Sequence, residues 1–118
     1  MSFTLNKIFL TGRISDVSTA GQIYIPIPDE ADGEVVEIRT ALGGAIATAD
    51  ATITPKIGGT AMTNGAITVA NSGSAAGDVD VSYPSGANAV RPGDAIEIET
   101  DGASTNAVDL GVTIVILR

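Results

Sequence analysis

Carboxylates, hydroxyls and two lysines carry all the reactive chemistry this sequence offers, because it contains no His and no Cys. The sharpest pair is Glu97 and Glu99, two residues apart in Asp94-Ala95-Ile96-Glu97-Ile98-Glu99-Thr100. On a strand, residues two apart share a face. Glycoside hydrolysis instead needs carboxylates flanking a bound sugar, and sugar sites favour aromatic platforms. Only Phe3, Phe9, Tyr24 and Tyr83 are aromatic, so a solvated strand face is the better reading of the pair. A Ser-Lys nucleophile using Lys7 or Lys56 is conceivable, but no spacing in the chain favours it.

The loops offer acids and glycines. Asp29-Glu30-Ala31-Asp32-Gly33-Glu34 is an acidic run, and Asp78, Asp80, Asp94 and Asp101 lie near other turns. Calcium takes roughly six to eight oxygen ligands, often from such loops. The spacing does not match an EF-hand, and a polar hairpin turn with Gly33 at the bend fits better. Gly58-Gly59-Thr60 and Ser72-Gly73-Ser74-Ala75-Ala76-Gly77 look like phosphate loops in composition alone. A phosphate loop opens a helix that aims backbone donors at the anion, whereas a β pattern follows both segments here. They read as turns, as does Pro84-Ser85-Gly86. Arg91-Pro92-Gly93-Asp94 suits a type II turn, with Pro second and Gly third. No catalytic, cofactor-binding or metal-binding residue is assigned.

The elements that hold these residues are strands. Period-2 alternation recurs along the chain. Lys7–Ile14 makes a first strand. Ile23, Ile25 and Ile27 share one face of Gln22–Ile27, and Pro26 places that strand at an edge or breaks it. Gly33–Ala41 presents Val36, Ile38 and Thr40 on one face. Ala51–Ile57 alternates with a Pro near its end. Ala66–Ala70 follows Thr63-Asn64-Gly65, whose Asn-Gly pair is a hairpin signal. In Gly77–Tyr83, Val79, Val81 and Tyr83 take one side and Asp78, Asp80 and Ser82 the other. Asp94–Thr100 sends Ile96 and Ile98 in and Glu97 and Glu99 out. Val108–Leu117 is apolar on both faces, which predicts a central strand or one covered by a partner. One helical turn is compatible with Leu42–Thr48, weakened by Gly43-Gly44. About eight short strands, spaced by turn residues, predict an all-β antiparallel sandwich, jelly-roll-like, in a single domain over residues 1–118.

Composition narrows function. The chain has 118 residues, a formal net charge of −8 and six scattered Lys and Arg. No basic stripe exists to neutralise phosphates, so neither nucleic acid nor an anionic membrane surface is an expected partner. The apolar run Ile8-Phe9-Leu10 is too short for a signal-peptide core. No stretch approaches the about 20 apolar residues of a membrane helix. The expectation is a soluble protein made in a cytoplasm. A core of Ile, Val, Leu and Ala without large aromatics is thin, which hints at stabilisation by contact between subunits.

The succession Gln22-Ile23-Tyr24-Ile25-Pro26, Gly33-Glu34-Val35-Val36-Glu37-Ile38, Ala47–Thr54, Ala66–Ala70, Gly77-Asp78-Val79, Arg91–Ile98 and Asp101–Thr105 resembles the small decoration, or cement, proteins of tailed-phage heads. Related domains occur in head fibres. The resemblance spans Ile14 to Leu117 and is a rhythm of strands and turns without a catalytic signature. It implies a jelly-roll-like sandwich, commonly a homotrimer, seated at local threefold positions on the outer capsid surface of a virion. Such proteins bind the major capsid protein after head expansion and clamp neighbouring subunits against internal pressure. The family has no catalytic residues to carry over. An N-terminal arm over residues 1–6 would make Met1, Ser2, Phe3, Thr4 and Leu5 candidate capsid-binding residues, adding a strand to a capsid edge; simple fraying is the competing reading. Two other functions stay open: a fibre domain contacting the host surface, and a carbohydrate-binding module that would need Tyr24 or Tyr83. An enzyme is expected least.

Overall fold

The structure, a computed structural model, describes residues 6–118. Among these residues ten strands run β1 (Lys7–Ile14), β2 (Gly21–Pro26), β3 (Gly33–Leu42), β4 (Ala51–Ile57), β5 (Thr60–Ala61), β6 (Ile67–Val69), β7 (Val79–Ser82), β8 (Ala89–Val90), β9 (Ala95–Thr100) and β10 (Leu110–Leu117). They form two five-stranded sheets. The first has the order β1-β10-β3-β7, with β8 also on β3; the second has the order β2-β9-β4-β5, with β6 also on β4. Every pairing is antiparallel. The pairings are nested: the first strand takes the last, the second takes the ninth, and β3 and β4 take the strands between. A nested ladder folded over into two sheets is a jelly roll.

The eight expected strands are all present, with ends shifted by two residues at most. The two additional ones are pairs of residues, too short to show a period. Alternation decides the core. Ile96 and Ile98 of β9, Ile53 of β4, and Leu110, Ile114 and Ile116 of β10 are at most 1% exposed. Each such side chain contributes about 1.5–3 kcal/mol on burial. Among the described residues the buried apolar side chains are aliphatic apart from Met62, and none is aromatic, as the composition leads one to expect. β10 lies between β1 and β3, the central place its two apolar faces predicted. β2 lies at a sheet edge, where Pro26 ends it without loss of a ladder bond.

Pro55 explains why one strand is split in two. Its carbonyl accepts from the Met62 N–H at 3.0 Å. In an antiparallel pair, a residue that bonds across points its N–H and C=O to the same neighbour. The missing Pro55 donor therefore faces the β5–β6 side, and the partner chain breaks from β4 there, pairing only at Lys56–Ile57 and Ala51–Ile53. The tight hairpin falls at Gly58-Gly59, both at positive φ (59° and 81°), as a primed turn requires. Asn64-Gly65 makes a turn inside the excursion instead of a hairpin between its flanking strands. The interruption between β7 and β8 lies alongside. The Thr63 N–H donates to the Gly86 carbonyl at 2.8 Å, and the Ser85 N–H donates to the Thr63 carbonyl at 2.9 Å. The two broken strands thus clasp the two sheets together.

Two expectations are corrected. Val35, not Val36, points inward, because Val36 is the extra residue of a β-bulge: Val115 pairs with Glu37 and Ile116 with Val35. A bulge reverses the alternation, so Val35 and Ile38 are both buried while Val36 is half-buried. Leu42–Thr48 forms no helical turn. The Gly43 N–H donates to the Asp109 carbonyl at 2.8 Å and Ala47 bridges Thr105, so backbone groups that a turn would use are held by the opposite loop. β7 takes an orientation that its alternation left open. Val79, Val81 and Tyr83 are 58%, 39% and 59% exposed, while Ser82 is buried. The strand turns its apolar side to solvent and its polar side to the core.

Replacing Ile98 by Ala should cost about 2–5 kcal/mol of folding stability in chemical denaturation. Gly102 sits at φ 70°, and a Cβ there would come within 2.4 Å of the Ala20 backbone nitrogen. Gly73 has the same φ with open space around it. Gly102→Ala should therefore destabilise clearly more than Gly73→Ala, whose cost is limited to the left-handed backbone, about 1–2 kcal/mol.

Candidate interaction surface

The two sandwich faces carry different chemistry. On the second sheet, Tyr24, Glu97 and Lys56 stand in one row, and Gln22, Glu99 and Thr54 in the next. Lys56 Nζ lies 3.1 Å from Glu99. Glu99 is thus already paired to a lysine, and Glu97 lines a hollow with Tyr24, Ile57 and Asp94 that Glu99 does not line, so the two do not flank one cleft. The pairing also occupies Lys56, one of the two lysines considered for a Ser-Lys site. The other, Lys7, lies exposed in β1 beside Leu117. Tyr24 and Tyr83 point outward from opposite sheets, so the two exposed tyrosines cannot form one sugar platform.

The acidic residues work as turn acceptors. Asp94 accepts from the Arg91 N–H at 3.1 Å. With Gly93 at φ 96° and the Asp94 N–H returned to the Arg91 carbonyl, this is the expected type II turn. Asp78 accepts from the Ala75 N–H, and Asp101 accepts from the N–H groups of Thr52 and Ala103. Asp29, Glu30 and Asp32 are exposed around buried Ala31. Among the described residues, no three acidic side chains converge on one point. Ser74, from the glycine-rich run, bonds both the N–H and the carbonyl of Ile46, so that segment ties two loops together.

Ionisation is shifted at two acids. Three bonds from Ser18 and Thr19, led by the Ser18 hydroxyl, hold the Asp16 carboxyl below its ordinary range. The Arg13 guanidinium, 2.9 Å away, does the same for Asp109. The bond from Arg39 to Glu37 raises the Arg39 guanidinium further above neutrality.

The outer face of the first sheet is the surface that sequence reading missed. Across it run the rows Phe9–Val115–Glu37, Thr11–Thr113–Arg39–Val81 and Arg13–Gly111–Ala41–Val79. Six large apolar side chains are exposed among the described residues: Phe9, Tyr24, Val79, Val81, Tyr83 and Leu117. All but Tyr24 project from this face. Alternation in Gly77–Tyr83 revealed two chemically distinct sides, but no residue there signals which side meets the core. Thr40 and Ser82, buried beneath β7, find no hydrogen-bond partner for their hydroxyls among protein groups, so the orientation of β7 is not one that core energetics alone favours. The candidate capsid contacts Met1, Ser2, Phe3, Thr4 and Leu5 lie outside the described residues.

No family model matches the chain, and no curated protein is similar to it. Among solved structures, a chain of the acidic stable capsid structure of Helicobacter pylori bacteriophage KHP30 superposes with a TM-score of 0.58. The match covers 95% of this chain and 87% of that one at 12% identity. Likeness at this identity establishes a shared fold.

The lowered carboxyls set a pH dependence. A carboxyl whose folded value lies below its ordinary 3.8 stabilises the fold above that value and loses its effect as the pH falls through the folded value. Asp16→Asn with Asp109→Asn should lower the thermal midpoint at pH 6, and the gap from wild type should close below pH 3.8. A gap that persists unchanged into that acid range would contradict the assignment.

Proposed function

We propose that this chain is a non-enzymatic structural protein of a tailed-phage virion, which binds the outside of the assembled shell and holds neighbouring capsid subunits together. One observation carries the reading: the jelly roll matches, over nearly its whole length, a chain of a phage capsid structure. The sequence rhythm pointed to the same class independently. The chemistry of the surfaces agrees with it. Many of the acids serve turns and ion pairs, and most of the large apolar side chains exposed among the described residues lie on one sheet face suited to protein contact.

The mechanism is mass action. A protein that binds only the assembled shell stabilises it by its binding free energy. Copies that each bridge several subunits multiply the effect through avidity. Threefold association, which the resemblance implies, would match a trimer to three surrounding subunits. The major capsid protein is the partner, and acidic net charge keeps the free protein away from the packaged nucleic acid and from membrane surfaces. The start of β1 lies beside the chain end, where the Arg118 N–H donates to the Asn6 carbonyl at 2.8 Å.

Co-sedimentation of the purified protein with expanded, empty heads of its own phage tests this reading. Saturable binding at a fixed number of copies per capsid subunit is expected. Absence from heads, with the protein found on tails or in no particle, would overturn it and favour a fibre domain.

A further inference from the structure

We propose that the free edge of β1 is a docking site for an extended segment of a capsid subunit, which adds a strand to the first sheet. This rests on the shell-binding reading and names the surface through which it acts.

The Arg118 N–H donates to the Asn6 carbonyl, and in an antiparallel ladder such bonds recur at every second residue. The register runs unbroken from Lys7 with Leu117 to Ile14 with Leu110. Ile8, Leu10, Gly12 and Ile14 therefore bond to β10. Lys7, Phe9, Thr11 and Arg13 aim their N–H and C=O groups away from the sheet. No strand among the described residues pairs with that side.

The other sheet edges are guarded. β2 is closed by Pro26. β5 and β6 have two and three residues and break opposite Pro55. β7 and β8 have four and two, with Pro84 between them. Short strands, prolines and interruptions are the devices that keep edges from pairing. β1 has none of them. It runs eight residues without a proline or a bulge, and its charges, Lys7 and Arg13, lie near its ends.

The side chains beside this edge are incompletely covered. β1 stands over β2, so close that a Cβ on Gly12 would come within 2.7 Å of Ile25 Cδ1. Along that seam Ile8, Leu10 and Ile23 pack against the core yet stay half-buried. A strand laid along β1 would send every second side chain into the seam and cover all three. The occupant is therefore about seven extended residues, apolar at alternate positions.

Charge excludes a second copy and sets what flanks the segment. Two copies joined edge to edge by a twofold axis pair antiparallel. Lys7 of one then lies opposite Arg13 of the other, and like charges so placed destabilise a pair. The exposed acids Asp29, Glu30 and Asp32 precede Glu34, which adjoins Leu117, the partner of Lys7. They would approach Asp16 of the other copy, between bodies that carry −8 each. A capsid segment with Lys or Arg just beyond its apolar stretch meets these same acids favourably.

Co-sedimentation with expanded, empty heads tests the edge directly. Thr11→Pro removes one outward donor and leaves the bonds of β1 to β10 in place. It should weaken saturation of the heads by about tenfold or more. Gln22→Pro makes the same change on β2, where the bond from the Ile27 N–H to the Asp94 carbonyl puts the Gln22 N–H on the outside. It should bind as the wild type does. Hydrogen exchange of the wild-type protein covers the case in which Thr11→Pro fails to fold. The peptide spanning β1 should exchange quickly when free and become protected on saturated heads, while the peptide spanning β2 stays unchanged. Thr11→Pro that folds and binds as tightly as wild type, or β1 amides that exchange on heads as they do free, would overturn the proposal and leave shell binding standing. Protection of those amides that grows with the concentration of free protein would assign the edge to a second copy and overturn it too. A wild-type protein that never binds heads would overturn both readings.

Discussion

The pairing of β10 with both β1 and β3 is the interaction on which the rest of this structure depends. It joins the first strand to the last over eight residue pairs, Lys7 with Leu117 through Ile14 with Leu110, and it places Ile114 and Ile116 at the centre of the core. Once that ladder closes, β2 and β9 are brought to the facing sheet, and the remaining strands nest inside. Contacts so distant in sequence carry a high loop-closure cost. They hold because the aliphatic faces they unite are continuous and because loops at the sheet ends are bonded across: Val17 to Val108, Gly43 to Asp109, Gly77 to Leu42. A core without Trp and with Phe9 and both tyrosines turned outward depends on the number of such aliphatic contacts, since no large ring dominates it.

Much of this was legible in the sequence, and the reasons differ by element. β9 was plain because Ile and Glu alternate without exception between Ala95 and Thr100. β10 was recognisable as central because both its faces are apolar. Pro26 marked an edge because a missing donor is tolerated only there. Elsewhere the signals competed. The Val35-Val36 pair hides its bulge, since either valine could serve as the inward residue until the partner register of Ile116 is known. Pro55 was visible, but its consequence, a split in the strand opposite, lies in a pairing that a single strand does not reveal. β7 was recognised as a strand with two chemically distinct sides, and which of them meets the core was left open. Alternation defines two faces and leaves the choice between them to tertiary context.

The orientation of β7 bears on function. Natural strands on a sandwich generally send their apolar side inward, and β7 does the reverse while burying Ser82. The result is an asymmetric molecule. The second sheet presents Glu, Thr, Lys and Gln to solvent, as a surface that stays in water would. The first presents nearly all the exposed large apolar groups with its charges neutralised in pairs. A protein working as a clamp on a symmetric shell needs such a division between surfaces that are covered and one that is not.

The central claim is that this jelly roll sits on the outside of a phage shell. Cryo-electron microscopy of expanded heads saturated with the protein tests it most directly. The account predicts extra density on the outer surface, at one symmetry-related position, into which the two-sheet sandwich fits with adjacent capsid subunits in contact. Heads whose outer surface is unchanged after incubation, or density confined to the tail, would contradict it.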